Sequence, residues 1–301
     1  MNSIKESVDI ETLATIIYVL VDDWIKANKR VRVGRKPEFS DSEVITLMLL
    51  MDYVPYPSER QFLCYIRANH LSLFPRLLDQ SQFNVRARGL RGCVEELRKH
   101  WQSCLVRELQ EYLLLDTKPV PVVSYKRSKD NSDFLGSANY GYCASKAMKY
   151  YGYKLVLLST LEGIPLVYDL VPANTDERIA AEEILEHAQS AEVITDKGFI
   201  GEVWQQDMKN DFGVNVLCPK RVNQKEQNPA GFDSLIGSCR QRVEGVFNEL
   251  QNVGRNLEKL MAKTVIGLAS RVVALITSHI LKLFLRKFHN IDIQTFSTID
   301  A

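Results

Sequence analysis

Near Glu111 the chain changes its hydrophobic period, and this change fixes what it can fold into. Up to that point the apolar residues recur at helical spacing. Over 10–26 they fall at Ile10, Leu13, Ile16, Ile17, Leu20, Val21 and Trp24, one face of a helix. Ser40 followed by Glu43 is a capping box that opens a helix running to Met51. Ser58 and Gln61 after Pro57 open another. Arg86, Arg88 and Arg91 lead into a helix ending near Leu109. Residues 1–108 therefore read as an all-helical domain, with 29–36 a basic linker inside it.

Past Glu111 the runs become short, apolar and rich in β-branched residues. Segments 112–115, 151–160 and 166–171 read as strands, and 161–165 (Leu-Glu-Gly-Ile-Pro) is a hairpin turn between the last two. Segment 116–149 between the first two reads as a basic loop. A helix over 177–191, a strand over 192–195, a helix over 201–211 and a strand over 214–218 come next. Polar 220–232 is a loop. Segment 234–260 is a long helix whose buried stripe is Val243, Val246, Phe247, Leu250, Val253 and Leu257. A hairpin followed by strand–helix alternation predicts a mixed five-stranded sheet with helices on its faces, an α/β domain over 109–261. The last apolar helix, about 264–287, is expected to pack on that domain or on a dimer surface, with 262–301 as a C-terminal segment.

The 301 residues carry 38 Lys/Arg and 37 Asp/Glu, so no global charge announces a partner. Locally the balance is uneven. Residues 118–154 hold seven basic and two acidic residues, 155–211 three and twelve, and 217–290 twelve and five. Carboxylates concentrated between two basic segments suit a protein that binds an anion around an acidic centre; ordinary solvated surface gives the same counts. The most apolar stretches, 12–21 and 272–281, are shorter than the ~20 residues a spanning helix needs, so no membrane partner is expected. Acids near the N-terminus stand where a secretory leader has a basic lead, and the expected location is the cytoplasm. Six scattered cysteines without a CxxC pair read as reduced thiols, and the histidines lack zinc-ligand spacing.

Three acids sit where such a fold can bring them together. Asp116 ends the first strand of the α/β domain and Asp196 ends strand 192–195, the strand ends where open sheets build sites. Glu244 lies in the long helix beside its apolar stripe. Each has an ordinary structural reading as well. A strand-end Asp caps a turn, and Glu244 can pair with Arg240 one helical turn earlier. Converging carboxylates repel one another unless divalent cations neutralise them, and oxygen-only ligands favour Mg²⁺ or Mn²⁺ over zinc.

At these residues the sequence resembles the DDE transposases of bacterial insertion sequences, which carry an RNase H-like catalytic domain; the predicted element order is that of the RNase H fold. The likeness lies in 113–119 (LLLDTKP) around Asp116, 192–201 (EVITDKGFIG) around Asp196, and 240–244 (RQRVE) ending at Glu244. Segments 151–155 and 172–176 also look like the family's second strand and the loop after it. Segments 39–50 and 73–82 are similar to the helical domain of one such family. The resemblance implies that Asp116, Asp196 and Glu244 are catalytic and bind metal, two Mg²⁺ ions in the family's manner, with Mn²⁺ able to substitute. It implies cleavage at transposon ends and transfer of the freed 3′-hydroxyl into target DNA. The implied partners are double-stranded DNA, as terminal inverted repeats and target, and a second copy of the chain when bound to DNA. Two positions depart from the related signature. Gly237 stands where Tyr is common and Gln251 where Lys is, which removes a stacking group and a phosphate contact.

Basic residues around the acids are candidate phosphate ligands: Arg240, Lys126, Arg127, Lys197, Lys220, Arg221 and Arg242, with Lys118 and Lys129 beside them. Asp176 either assists the metal site or caps the helix that begins at Glu177. Two alternatives to a transposase stay open on the residues. One is an RNase H-like DNA nuclease without strand transfer. The other is an inactive DNA-binding relic of a transposase.

Overall fold

The computed structural model describes residues 8–28, 35, 37–127, 129–220 and 227–293. The basic linker at 29–36, Arg35 aside, and Arg221 lie outside the described residues. Contacts divide the chain into two units. One takes the residues up to Leu105 and those from Leu250 onward; the other is Val106–Glu249.

The first unit is helical, with α1 (Ile10–Ala27), α2 (Asp41–Leu50), α3 (Glu59–Asn69), α4 (Gln80–Gly89), α5 (Arg91–Leu105) and α9 (Val265–His289). The capping box at Ser40 is formed, with Glu43 N–H on the Ser40 hydroxyl at 3.1 Å and Ser40 N–H on the Glu43 carboxylate at 2.6 Å. Asp79 and Gln82 form a second box at α4. Helix α2 is buried without a break from Val44 to Leu50, with Thr46 the one polar residue of that run, so it is the centre of this unit.

The last helix departs from expectation. It belongs to the helical unit. The Ser270 hydroxyl donates to Ala87 O (3.1 Å), the Tyr53 hydroxyl to Ser278 O (2.5 Å), and the Trp101 and Phe284 rings lie 6.0 Å apart. The physical reason is its buried run from Val272 to Leu281, which covers too much of the helix circumference for one neighbour. Helices α2, α4 and α5 together supply the cover. At 25 residues α9 has the length expected from the sequence to within a residue. By length and composition it is able to cross a membrane, but 72% of its most apolar window is buried inside the protein.

The second unit carries a six-stranded mixed sheet. Its strands are β1 (Tyr112–Val123), β2 (Asn139–Cys143), β3 (Met148–Thr160), β4 (Pro165–Pro172), β5 (Glu192–Ile194) and β6 (Asn215–Leu217). The order is β2-β3-β1-β5-β6, and β4 follows β2 along the same edge of β3. Strand β1 runs antiparallel to β3 and parallel to β5, and β5 runs parallel to β6. Helices α6 (Glu177–Leu185) and α7 (Glu202–Phe212) make the crossovers. They cover one sheet face, where Leu113, Leu115, Val156 and Leu158 meet Ala181, Ile184, Leu185 and Met208. The basic loop expected over 116–149 is partly sheet. Strand β1 continues to Val123, and β2 is the sixth strand.

Helix α8 (Phe232–Asn252) buries Ile236, Val243, Val246, Phe247 and Leu250. It ends eight residues before the predicted limit. Gly254 N–H donates to Asp52 O at 3.0 Å, and a Cβ there would stand 2.1 Å from Val54 O. The chain turns at that close approach, so Leu257 is buried from a short 3₁₀ turn rather than from the helix.

Candidate active site

Side chains alternate across a strand, and this places Asp116. Leu113 and Leu115 face the α6–α7 layer, so Leu114, Asp116 and Lys118 face the opposite side. The Lys118 ammonium lies 5.7 Å over the Phe247 ring of α8 on that side. Burial pushes the Asp116 carboxyl up to about 7. The Thr117 N–H, at 2.7 Å from Asp116 Oδ1, opposes the shift, the charge of Asp196 adds to it, and Arg240 and Lys118 moderate it.

Asp196 follows β5 and caps a 3₁₀ turn, Lys197–Phe199, by accepting from Gly198 N–H at 2.7 Å. The turn-capping reading of this Asp is therefore correct, and its charge still acts on Asp116. One Oδ of Asp196 is 4.0 Å from a terminal nitrogen of Arg240, and that nitrogen is 3.6 Å from Glu244 Oε1. Arg240 thus stands between two acids on different elements and acts electrostatically on the third. Its Nε is buried and has no hydrogen-bond partner among the described residues. Glu244 is 53% exposed, which leaves its carboxylate free to reorient.

The structure adds a fourth carboxylate that sequence reasoning misses. Asp176 caps α6 and pairs with Arg178 at 3.0 Å, so it is turned to the helix end. Its neighbour Glu177 accepts from the Thr117 hydroxyl at 3.3 Å, and Thr117 is the residue after Asp116. Burial raises the Glu177 carboxyl above its ordinary range, and the charge of Asp196 raises it further. Gly198 makes room for it, because a Cβ there would lie 1.7 Å from Glu177 Oε2. The Lys-Gly pair after Asp196 is the available signal. A glycine at φ outside the left-handed region marks a close approach.

Among the described residues no three His, Cys, Asp or Glu side chains form a group ready to hold a metal ion. The donor chemistry nevertheless fits a hard divalent cation. Asp116, Asp196 and Glu244 offer only carboxylate oxygens, and burial beside a like charge leaves Asp116 short of positive charge. Arg240 supplies part of that charge from within the chain.

The candidate phosphate ligands differ in how accessible they are. Lys197 is exposed on the turn after Asp196, and Lys220 is half-buried past β6. Arg242 is exposed on α8 and reaches Leu161 O at 3.4 Å. Lys126 and Arg127 are exposed after β1. Lys129 is not available to phosphate, since it is buried and its ammonium donates to Ser124 O, Tyr125 O and Arg127 O. No atom lies within 4 Å of the place a methyl group on Gly237 would take, so the space a larger residue needs is open. Gln251 donates to the Glu258 carboxylate.

A family model described as a transposase DDE domain matches residues 107–260. No curated protein matches the chain. Among solved structures it is similar to a Mos1 transposase paired-end complex with the left transposon end, at 14% identity over 79% of this chain and 88% of that one, TM-score 0.22. It is similar to the Mos1 strand transfer complex at 15% identity, over 87% and 84%, TM-score 0.24. It is also similar to a pre-cleavage Mos1 transpososome at 16% identity, over 92% and 87%, TM-score 0.24.

Proposed function

The chain belongs to the family of transposase DDE domains, and from that premise we propose that it cuts DNA at the ends of a mobile element and joins the freed 3′-hydroxyl to target DNA. The observation that carries this reading is the position of Arg240 between Asp196 and Glu244, with Asp116 in the electrostatic field of both Asp196 and Arg240. Asp116, Asp196 and Glu244 are the catalytic carboxylates in this proposal, and they would hold Mg²⁺, or Mn²⁺ in its place. Two such ions, when bound, supply activation of the attacking oxygen and charge stabilisation of the leaving one.

The chain's own residues do the rest. Arg240 lies between the Asp196 and Glu244 carboxylates, 4.0 and 3.6 Å from them, and its guanidinium charge is offered to a phosphate oxygen. Glu177 and Thr117 fix the backbone beside Asp116. Lys126, Arg127, Lys197, Lys220 and Arg242 neutralise the DNA backbone around the centre, and Arg221 next to Lys220 extends the same basic stretch. The helical unit, with Arg86, Arg88 and Arg91, is proposed to grip the element's ends, although Arg86 also pairs with Asp41 at 2.5 Å. Two copies acting together on two ends, in the cytoplasm, complete the proposal.

The test is Mg²⁺-dependent cleavage of labelled DNA that carries the sequences flanking the gene, beside Asp196→Ala, with binding followed by gel shift. The expected result is cleavage leaving 3′-hydroxyl ends, with joined products, lost in the variant while binding survives. Cleavage without joining would identify a nuclease, and binding without cleavage by the wild type would identify a relic.

A further inference from the structure

Six of the chain's twelve tyrosines lie between residues 125 and 153, and no acidic residue falls between Leu135 and Leu161. The active-site chemistry uses none of these rings. Strand β2 sorts them by alternation. On one face Gly141 and Cys143 lie against Tyr150 and Ala173. On the other face Tyr140 and Tyr142 stand out, 51% and 60% exposed, and Tyr125 beside them is 44% exposed. Large polar-tipped rings this exposed on an edge strand are not contributing to a core.

The loop that carries Tyr125, Lys126 and Arg127 is held from below. Lys129 is 8% exposed, and its ammonium donates to Ser124 O at 3.1 Å and Tyr125 O at 2.6 Å, as well as to Arg127 O. The same ammonium lies 5.9 Å from the Tyr125 centroid and 5.4 Å from those of Tyr140 and Tyr151. Tyr140 packs edge-on to Tyr125 at 5.6 Å and to Tyr151 at 5.0 Å. One buried cation therefore orients three rings and the backbone of a basic tripeptide at once. Beside it lies a cavity of about 560 Å³, lined by Tyr125, Lys126, Arg127, Asp130, Tyr140 and Tyr151 among others. That volume lies within the range of small-molecule sites and admits a nucleotide.

We propose that this surface binds unpaired DNA, with bases stacked on Tyr140, Tyr142 and Tyr125 and phosphates on Lys126, Arg127 and Lys149. Lys149 is the cross-strand partner of Tyr142. Ring faces accept a base only when it is out of its duplex stack, and every base has such a face. Asp130 also lines the cavity, but Lys126, Arg127 and Lys149 outnumber it, and the Tyr125 and Tyr140 rings are held by their neighbours before binding, so little ordering of those two rings opposes it. The inference deepens the proposed function, since strand cutting and joining expose unpaired nucleotides, and it rests on that reading only for its biological setting.

The test uses the full chain and a fluorescent dT12 oligonucleotide, with anisotropy as the readout and a blunt duplex as comparison. Tyr140→Ala and Tyr142→Ala are each expected to weaken dT12 binding about tenfold and to leave duplex binding within about twofold. Tyr142→Phe, which keeps the ring, should bind as the wild type does. Replacing both Lys126 and Arg127 by Ala should flatten the salt dependence of dT12 binding by about one to two units of log–log slope. Absence of dT12 binding by the wild type, or Ala variants that bind as well as it does, overturns the inference. If that happens while cleavage of flanking DNA persists, only the platform is refuted. If dT12 binding matches expectation while no flanking DNA is ever cut, only the transposase reading is refuted.

Discussion

Asp116 holds its carboxyl where protein replaces most of the surrounding water, and this ties the stability of the fold to pH. Its ordinary value is 3.8 and burial lifts it to about 7 in the folded chain. Between those values the native state binds the extra proton, so its contribution to stability falls as pH rises from about 4 and is fully unfavourable above 7. Asp116→Asn removes that penalty. Without metal the variant should melt several degrees higher than the wild type at pH 8, a gain of up to about 4 kcal/mol, and almost level with it at pH 4. Mg²⁺ should raise the wild-type melting temperature at pH 8 and leave the variant unmoved; scanning calorimetry at the two pH values reads both. The residues of this centre are only partly legible in the sequence. In the sequence Asp116 and Asp196 stand out at expected strand ends and Glu244 beside an apolar stripe, although β1 runs on past Asp116 to Val123, so Asp116 is placed by strand alternation and not by a strand end. Glu177 does not, because a glutamate in the first turn of a helix has an ordinary reading as a partner of the helix dipole. Only the space left by Gly198 shows which way it points.

Elements are legible where one period dominates. The alternating runs mark β3, β4, β5 and β6 nearly to their ends, and the caps at Ser40, Ser58 and Asp196 form as their residue types predict. Strand β1 reads short in the sequence because Pro119 and Pro121 look like loop residues. Past Leu114, however, β1 has no second neighbour among the described strands, so those prolines interrupt no ladder on that edge. Strand β2 is hidden by its own composition, since Asn-Tyr-Gly-Tyr-Cys buries one small-residue face and bares the other. Helix α8 reads long because nothing in its pattern marks the contact at Gly254. Inside α8, Gly237 carries a cost of its own. A glycine in a helix interior is about 1 kcal/mol less favourable than alanine, and no atom lies within 4 Å of where its Cβ would be. Gly237→Ala should therefore stabilise the protein by about 0.5–1 kcal/mol in urea unfolding with an unchanged slope.

At the scale of the whole molecule, sequence order and spatial order part company. The chain leaves the helical unit at Leu105 and re-enters it at Leu250, so a linear division at 108 and 261 misplaces the last helix. Periodicity reports which face of a helix is buried and not against what, and this is why α9 is legible as a helix but not as a member of its unit. The returning segment is fastened by a buried ion pair that no local pattern reveals, because its members are 203 residues apart. Arg255 Nε donates to Asp52 Oδ1 at 2.6 Å, and its fork also reaches Met48 O at 2.5 Å; the two residues are 3% and 1% exposed. Removing one partner strands the other charge without solvent, which costs roughly 3–5 kcal/mol. Removing both in favour of apolar groups restores neutrality. Arg255→Ala should therefore lower the melting temperature on the order of 10 °C, and Arg255→Met combined with Asp52→Leu should recover most of the loss. If the pair instead contributed only a surface-like fraction of a kcal/mol, the single variant would melt with the wild type, and the return of the chain would have to be held by α9 packing and the Gly254–Asp52 backbone contact.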